Sequence, residues 1–229
     1  MEKLIYVVNS TTVDSDQRLT DWAAPLVACA RDAGSPSQSV LIPDRTEFIR
    51  ERSATRLSPN FDSVGLILEC WLPSLDSRGP IEERLEGLDP GFWGYLVTES
   101  TFGPAPRATD GTGRVAGITQ VTLNEKPAGV SDDDFYREWQ EVHSKLSFDL
   151  HPTRVSYERN AVARRLTPGA PNHRAIVLER FPRLEDFVDE SIYFGDAEVV
   201  QKMFSHVPKF YAFETAITGA MSEYVFDSD

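Results

Sequence analysis

The chain is short of the residues that most often carry chemistry. Its 229 residues include only two cysteines, Cys29 and Cys70, and four histidines. Two thiols far apart in sequence do not make a zinc ligand set, and the histidines form no HxH, HxxxH or HExxH pairing, so no metal centre is expected. Both cysteines lie among apolar neighbours and are expected as free, buried thiols rather than as a bridge. Cationic residues are scarce too: 23 Lys and Arg against 36 Asp and Glu leave a formal charge of -13. That excess argues against nucleic acid or an anionic membrane as partner. There is no GxGxxG, no Walker loop and no GxSxG elbow. No apolar run approaches the roughly 20 residues of a membrane span, and the opening Met1-Glu2-Lys3 followed by Leu4 to Val8 is too short for a signal peptide. The expected location is the cytoplasm and the expected partner a small molecule.

What is present is a regular alternation. Strands are expected at Leu4–Val8, Ser39–Ile42, Val64–Trp71 and Phe92–Phe102, with helices at Arg18–Ala33, kinked or started near Pro25, and at Pro80–Leu88. The polar Pro43–Asp62 is expected as a long excursion, and the Gly- and Pro-dense Gly103–Arg114 as a linker. The order then recurs: strands at Val115–Asn124, Thr153–Asn160, Arg174–Arg180 and within Phe210–Phe226, a helix over 131–150, a loop over Ala161–His173, and a helical Leu184–Phe204 broken at Gly195. Residues repeat as well as order. Leu68-Glu69-Cys70-Trp71-Leu72-Pro73-Ser74-Leu75-Asp76 matches Leu178-Glu179-Arg180-Phe181-Pro182-Arg183-Leu184-Glu185 with one residue extra. Each half therefore reads β-α-β-β-α-β, a ferredoxin-like unit. The expected fold is α+β: unit 1 over 1–102, a linker over 103–114 and unit 2 over 115–229. The bare faces of the two antiparallel sheets are expected to pack on one another as an α+β barrel.

The stretch 131–160 carries the chemistry. Ser131 and three aspartates open a helix, where a cap and carboxylates suit the exposed amides. Phe135, Trp139, Val142, Leu146 and Leu150 then mark one face. His143 lies about 40° from Trp139 and about 60° from Leu146 at roughly 100° per residue, so it belongs on or beside that face. A neutral imidazole there can take a proton from an acidic carbon or a phenol. The alternative is a packed histidine bonded to a backbone carbonyl. His151, at the corner before Pro152, is expected near the surface; His173 is expected solvated in a loop. Tyr157 and Asn160 on the next strand are candidate neutral donors to a substrate oxygen. Arg159 and Arg180 suit a substrate carboxylate or, alternatively, neighbouring glutamates. The aromatic crowd Trp139, Phe181, Phe187, Tyr193, Phe194, Phe204, Phe210, Tyr211 and Phe213 can line a pocket for a planar molecule or fill a core.

Three segments carry a resemblance: Phe135-Tyr136-x-x-Trp139-x-x-x-His143, Tyr157-x-x-Asn160, and Leu178-Glu179-Arg180-Phe181-Pro182-x-Leu184-Glu185. Through them residues 115 to 226 resemble an EthD-type domain of the dimeric α+β barrel superfamily. The first half resembles a degenerate second copy, without a histidine. The resemblance implies a barrel, usually made by two chains, closed within one, acting as a monomer with an internal pseudo-dimer or as a homodimer. It implies a pocket between sheet and helices of one unit. The resemblance does not choose the reaction, since fold and function separate freely; the leading expectation is a cofactor-free lyase, cyclase or isomerase of a hydrophobic, aromatic or polyketide-like compound. His143, Tyr157 and Asn160 would then act on the substrate, and Phe135, Trp139, His151, Arg159 and Phe181 would hold it. A monooxygenase, a haem-linked enzyme with His206 in an apolar pocket as ligand, or a non-catalytic binding protein are the alternatives.

Overall fold

Strand parity organises the molecule. The computed structural model describes residues 1–10, 15–53, 55–88, 91–103, 106–195 and 197–227. Its strands are β1 (Glu2–Asn9), β2 (Ser37–Pro43), β3 (Val64–Leu72), β4 (Phe92–Phe102), β5 (Ile118–Glu125), β6 (Ser156–Arg165), β7 (His173–Phe181) and β8 (Ile217–Asp227). They close into one antiparallel barrel in the order β1-β3-β2-β8-β5-β7-β6-β4, with β4 returning to β1. Within it, β4-β1-β3-β2 and β8-β5-β7-β6 are the same order in successive halves. The expected barrel is present, and at its two seams the halves also pair strand to strand. β2 and β8, and β4 and β6, are joined by continuous ladders, so the halves meet edge to edge around a shared interior. Closure leaves no strand edge unpaired, which face-to-face packing cannot do. β6 also runs on to Arg165 where a loop was expected from Ala161, because Val162 continues the ladder opposite Val97 and turns into the barrel.

Alternate residues fill the interior: Ile5 and Val7, Leu41, Ile67, Tyr95 and Val97, Val121 and Leu123, Ile176 and Leu178, Ile217 and Met221. At the Lys3 end the same parity delivers charge. Lys3 Nζ lies 2.8 Å from Glu69, 3.0 Å from Glu99 and 2.5 Å from Glu158. Burial opposes its charge, but the three carboxylates outweigh that and hold it cationic. Arg107 enters the same cluster from the expected linker, reaching Ser39, Glu158 and Glu223. Over 106–114 that linker is structured, bridging Thr109 to Val115 and Arg114 to Tyr224; residues 104 and 105 lie outside the described residues.

Helices cover the outside. α1 spans 15–32 with a π turn at Leu19–Ala23 just before Pro25, whose missing N–H favours such a break. The expected excursion contains α2 (Glu47–Arg52) and a 3-10 turn at Pro59–Ser63, and α3 is Gly79–Glu86. α4 spans 132–150 with a π turn at Arg137–His143. The expected Leu184–Phe204 helix is three: α5 (Leu184–Val188), α6 (Glu190–Phe194) and α7 (Ala197–His206). Asp189 caps α6 through the Ser191 amide, and Gly195 ends it at φ 80, a conformation that favours glycine. In the first half the outer sheet face is apolar and filled: Leu4, Tyr6, Val8, Leu66 and Leu68 pack on Leu26, Val27, Ile81 and Leu85, with the free thiols Cys29 and Cys70 in the same cluster. In the second half the outer face of β5 carries Gln120, Thr122 and Asn124, and a space remains above it.

Candidate active site

The space is a cavity of about 350 Å³ between the outer face of β5, β7, β6 and β8 and a cover made by α4, α6, α7 and the segment 207–213. Its size is that of a small-molecule site. The floor is Gln120, Thr122 and Asn124 of β5, Tyr157 of β6, Ala175, Val177 and Glu179 of β7, and Thr218 of β8. Trp139 and His143 come from α4, Tyr193 and Phe194 from α6, Met203 and Phe204 from α7, and Phe210, Tyr211 and Phe213 from the following segment. Phe204 and Phe213, 65% and 56% exposed, line it from the surface side.

The π turn sets α4 against this cavity. It is capped by Ser131, which accepts from the Asp134 amide at 3.0 Å. After the turn the phase of the helix changes: Ser144, Ser147 and Leu150 are buried, and Leu146, expected on the inner face, is 42% exposed. Carbonyls in the turn find side-chain donors. Ser144 Oγ bonds the Trp139 carbonyl at 3.0 Å, and Arg159 Nη1 bonds the Gln140 carbonyl at 2.8 Å. Arg159 also holds Ser144 and Ser100, so it fixes α4 to β6 and β4 and does not line the cavity.

His143 packs against Phe210, with ring centroids 4.6 Å apart, and against the near-parallel ring of His206 at 5.6 Å and 14°; His206 and Phe210 are themselves 5.6 Å apart. Its Nδ1 is buried without a hydrogen-bond partner, so it is not the carbonyl-locked histidine of the alternative reading. Burial lowers its pKa to about 3; Glu179 opposes that, while His206, His151 and Arg154 add to it. The imidazole is neutral at physiological pH. Tyr157 accepts from Trp139 Nε1 at 3.0 Å, which leaves its own proton to donate. Burial, then the charge of Glu179, raise its pKa to about 12, so it remains a phenol.

Behind them runs a buried polar line. Glu179 pairs with Arg154 and accepts from Gln120 Nε2 at 2.8 Å; Gln120 Oε1 accepts from Tyr193 at 3.0 Å. Burial works against the Glu179 charge, but Arg154, through its charge and its hydrogen bond, outweighs it and the carboxylate stays ionised. Arg154 lies over Tyr157 at 4.4 Å and Phe148 at 4.6 Å and donates to Ser147 at 2.8 Å. Asn124 pins the cover, donating to the Phe210 carbonyl at 2.8 Å and accepting from the Ala212 amide at 3.0 Å.

One wall comes from the first half. Phe61 joins the interior cluster against Gly219, where a Cβ would fall 2.2 Å from its ring. The Ser58 amide donates to the Thr218 carbonyl and Ser58 Oγ accepts from the Thr218 amide, both at 2.9 Å. These contacts hold residues 55–59 at the cavity. Arg56 there stacks over Tyr193 at 4.5 Å and bonds Ser53 and the Phe187 carbonyl, while its Nε and Nη1 are buried without partners. A buried donor without a partner costs about 1–3 kcal/mol.

Of the residues singled out from sequence, His143, Tyr157, Trp139 and His151 line the cavity, as do Tyr193, Phe194, Phe204, Phe210, Tyr211 and Phe213 of the aromatic crowd. Phe135 and Phe181 stand one layer back, against Trp139 and Tyr193 respectively. Asn160 is the clear correction. It turns into the barrel and donates to Glu158 at 3.0 Å, because three residues along a strand reverse the face that Tyr157 occupies. Arg180 likewise turns inward, to Glu223 at 3.2 Å. His151, expected near the surface, is buried with Nδ1 3.0 Å from the Tyr193 carbonyl oxygen. His173, expected solvated, is buried beside Trp93 and Tyr95 with neither ring nitrogen partnered. Gln120, Thr122, Asn124, Glu179 and Arg56 were not singled out; the polar alternation of β5 is the signal that pointed to the first three.

No family model matches the chain, and no curated protein matches it. Solved structures do. An anthrone oxidase-like protein aligns over 99% of this chain and 93% of its own, with a TM-score of 0.63 at 10% identity. A candidate monooxygenase from Fusobacterium nucleatum subsp. nucleatum ATCC 25586 aligns over 99% and 94%, with a TM-score of 0.58 at 6% identity. Another from Lactobacillus acidophilus NCFM aligns over 100% and 99%, with a TM-score of 0.51 at 7% identity. The chain shares their fold.

Proposed function

We propose that the chain is a cofactor-free enzyme whose His143 removes a proton from a planar, hydroxylated aromatic or polyketide-like molecule bound in the 350 Å³ cavity. The observation that carries this is a histidine held neutral in the wall of an aromatic-lined space. A base whose conjugate acid has a pKa near 3 is a weak proton acceptor in the empty cavity. The charge that matters is the one formed on reaction: an enolate or phenolate beside the new imidazolium, with ionised Glu179 already favouring the cation. Tyr157 supplies a neutral donor to the developing oxyanion. The carbanion then eliminates, cyclises or isomerises, giving lyase or isomerase chemistry.

A second reading takes the same carbanion to dioxygen. It is favoured by the names of the structures at TM-scores of 0.63 and 0.58, an oxidase-like protein and a candidate monooxygenase. Haem ligated by His206 does not fit, because His206 is not among the residues that line the cavity.

The common strand order of the halves, with a π turn in the first helix of each, supports two fused ferredoxin-like units of EthD type, divided near 103–114. Among the described residues no helix is long and apolar enough to cross a membrane. A homodimer is compatible with the superfamily.

The test uses anthrone in D₂O, followed by NMR and an oxygen electrode. The wild type should speed deuterium exchange at the acidic methylene, and His143→Ala should lose at least about 100-fold of that. Full exchange in the variant overturns the role of His143. Oxygen uptake with anthraquinone and water as products selects the second reading.

A further inference from the structure

One group in the cavity wall has acceptor capacity to spare. Among the described residues that line the cavity, Glu179 is the one carboxylate. Strand parity puts it on the outer face of β7 with Ala175 and Val177, which share the floor with it. Its side chain stays 11% exposed, while that of its partner Arg154 is wholly covered and does not line the cavity. Oε1 is engaged by Arg154 and Oε2 by Gln120 Nε2 at 2.8 Å. An ionised carboxylate has about four acceptor positions, so about two are left. The nearby phenols do not take them: Tyr193 donates to Gln120 Oε1 at 3.0 Å, and Tyr211 pairs with Thr218 at 2.7 Å. The charge of Glu179 is nevertheless felt across the site. After burial, it is the next cause that keeps Tyr157 and Tyr193 protonated, and it acts on Tyr211 in the same sense. A phenol brought in by a ligand meets the same field.

We propose that Glu179 is a specificity-determining residue of the cavity: its carboxylate accepts from a hydroxyl of an uncharged phenolic ligand and keeps that hydroxyl protonated, so that ionisation falls on the group facing His143. A hydrogen bond to a carboxylate is about twice as strong as one between neutral groups, which makes Glu179 a better acceptor than the neutral imidazole. The hydroxyl must be free to donate, so one already bonded to a carbonyl of the same molecule does not qualify. A methyl ether keeps the shape and lacks the proton. A ligand carboxylate brings a second anion beside the first, where water is scarce. The ligand class is therefore a neutral, flat phenol. This rests on the cavity being the ligand site, as proposed above.

The probes are 2-hydroxyanthraquinone, its methyl ether and anthraquinone-2-carboxylate, titrated against intrinsic tryptophan fluorescence, since Trp139 lines the cavity. The colour of the hydroxy probe reports its ionisation. At a pH where that probe is neutral, the wild type should bind it at least about 10-fold more tightly than the ether. The carboxylate should bind no better than the ether. The bound hydroxy probe should ionise at least about one pH unit above the free probe. Apolar surroundings alone also raise a phenol, so the comparison with Glu179→Gln, neutral and of the same size, isolates the carboxylate. That variant should lose at least about half of the shift and most of the preference over the ether. An ether bound as tightly as the hydroxy probe by the wild type overturns the Glu179 proposal and leaves the cavity reading standing. So does a carboxylate bound more tightly, or a shift that Glu179→Gln leaves intact. Binding of none of the three overturns both. If Glu179→Gln does not fold, the wild-type ratio of hydroxy probe to ether still decides.

Discussion

The imidazole rings of His143 and His206 lie 14° from parallel with centroids 5.6 Å apart. Burial keeps both rings from charging, and at His143 a charge on His206 would add to it. His143 should therefore remain unprotonated in NMR titrations well below pH 5. His206→Phe, which keeps the stack and removes the second charge, should let the midpoint rise slightly. A wild-type midpoint near 6.5 would show that the ring is solvated and would remove the basis for a preset neutral base.

Tyr157→Phe deletes the acceptor for Trp139 Nε1. Loss of one buried hydrogen bond should cost about 1 kcal/mol or somewhat more, since the indole N–H is left unmatched. Turnover should fall by about 10- to 100-fold if the phenol also meets the substrate oxyanion. A stability loss with unchanged kcat would assign Tyr157 to the wall alone.

Glu179→Ala leaves Arg154 buried without its anion, and the variant should lose about 3–5 kcal/mol in denaturant unfolding. Replacing both by apolar residues of similar volume should recover most of that. A neutral single variant would mean that the pair is open to water.

Acid sensitivity follows from the buried histidines. His143 and His173 take up protons near pH 6.5 when unfolded, but only near 3 and 4 when folded; His151 is lowered too. Between those values the unfolded chain binds more protons. Stability is therefore full above about pH 6.5 and declines as pH falls toward 4. His173→Phe keeps the contacts to Trp93 and Tyr95 and removes two unmatched nitrogens. Its melting temperature should rise by about 2–4 °C per kcal/mol regained, with a shallower acid limb. An unchanged acid limb would place the sensitivity elsewhere.

Strand positions and the long helix were legible because apolar periodicity is a local property of sequence. The π turn was not: it moves Leu146 outward while Ser144 and Ser147 go in, and nothing in the residue spacing announces an extra residue in a turn. Asn160 was placed with Tyr157 by motif, although a two-residue period separates them, so that error was correctable from sequence. Arg56 lay in a polar excursion whose destination depends on Phe61 meeting Gly219, a contact between residues remote in the chain.

A symmetric assembly of identical chains must build every wall twice and cannot give one site what it withholds from the other. Here β2 joins β8 and β4 joins β6 within a single polypeptide, and the obligation lapses. The first half has filled its own outer face with leucine, valine and isoleucine and spends residues 55–59 on its neighbour. The side whose outer face is filled is thus free to change toward rigidity, while the other keeps buried polar groups that a self-sufficient core would discard. Mutational tolerance should accordingly divide by half: conservative exchanges on the outer face of β1 and β3 would register as melting temperature, and those on β5 and β7 as ligand choice.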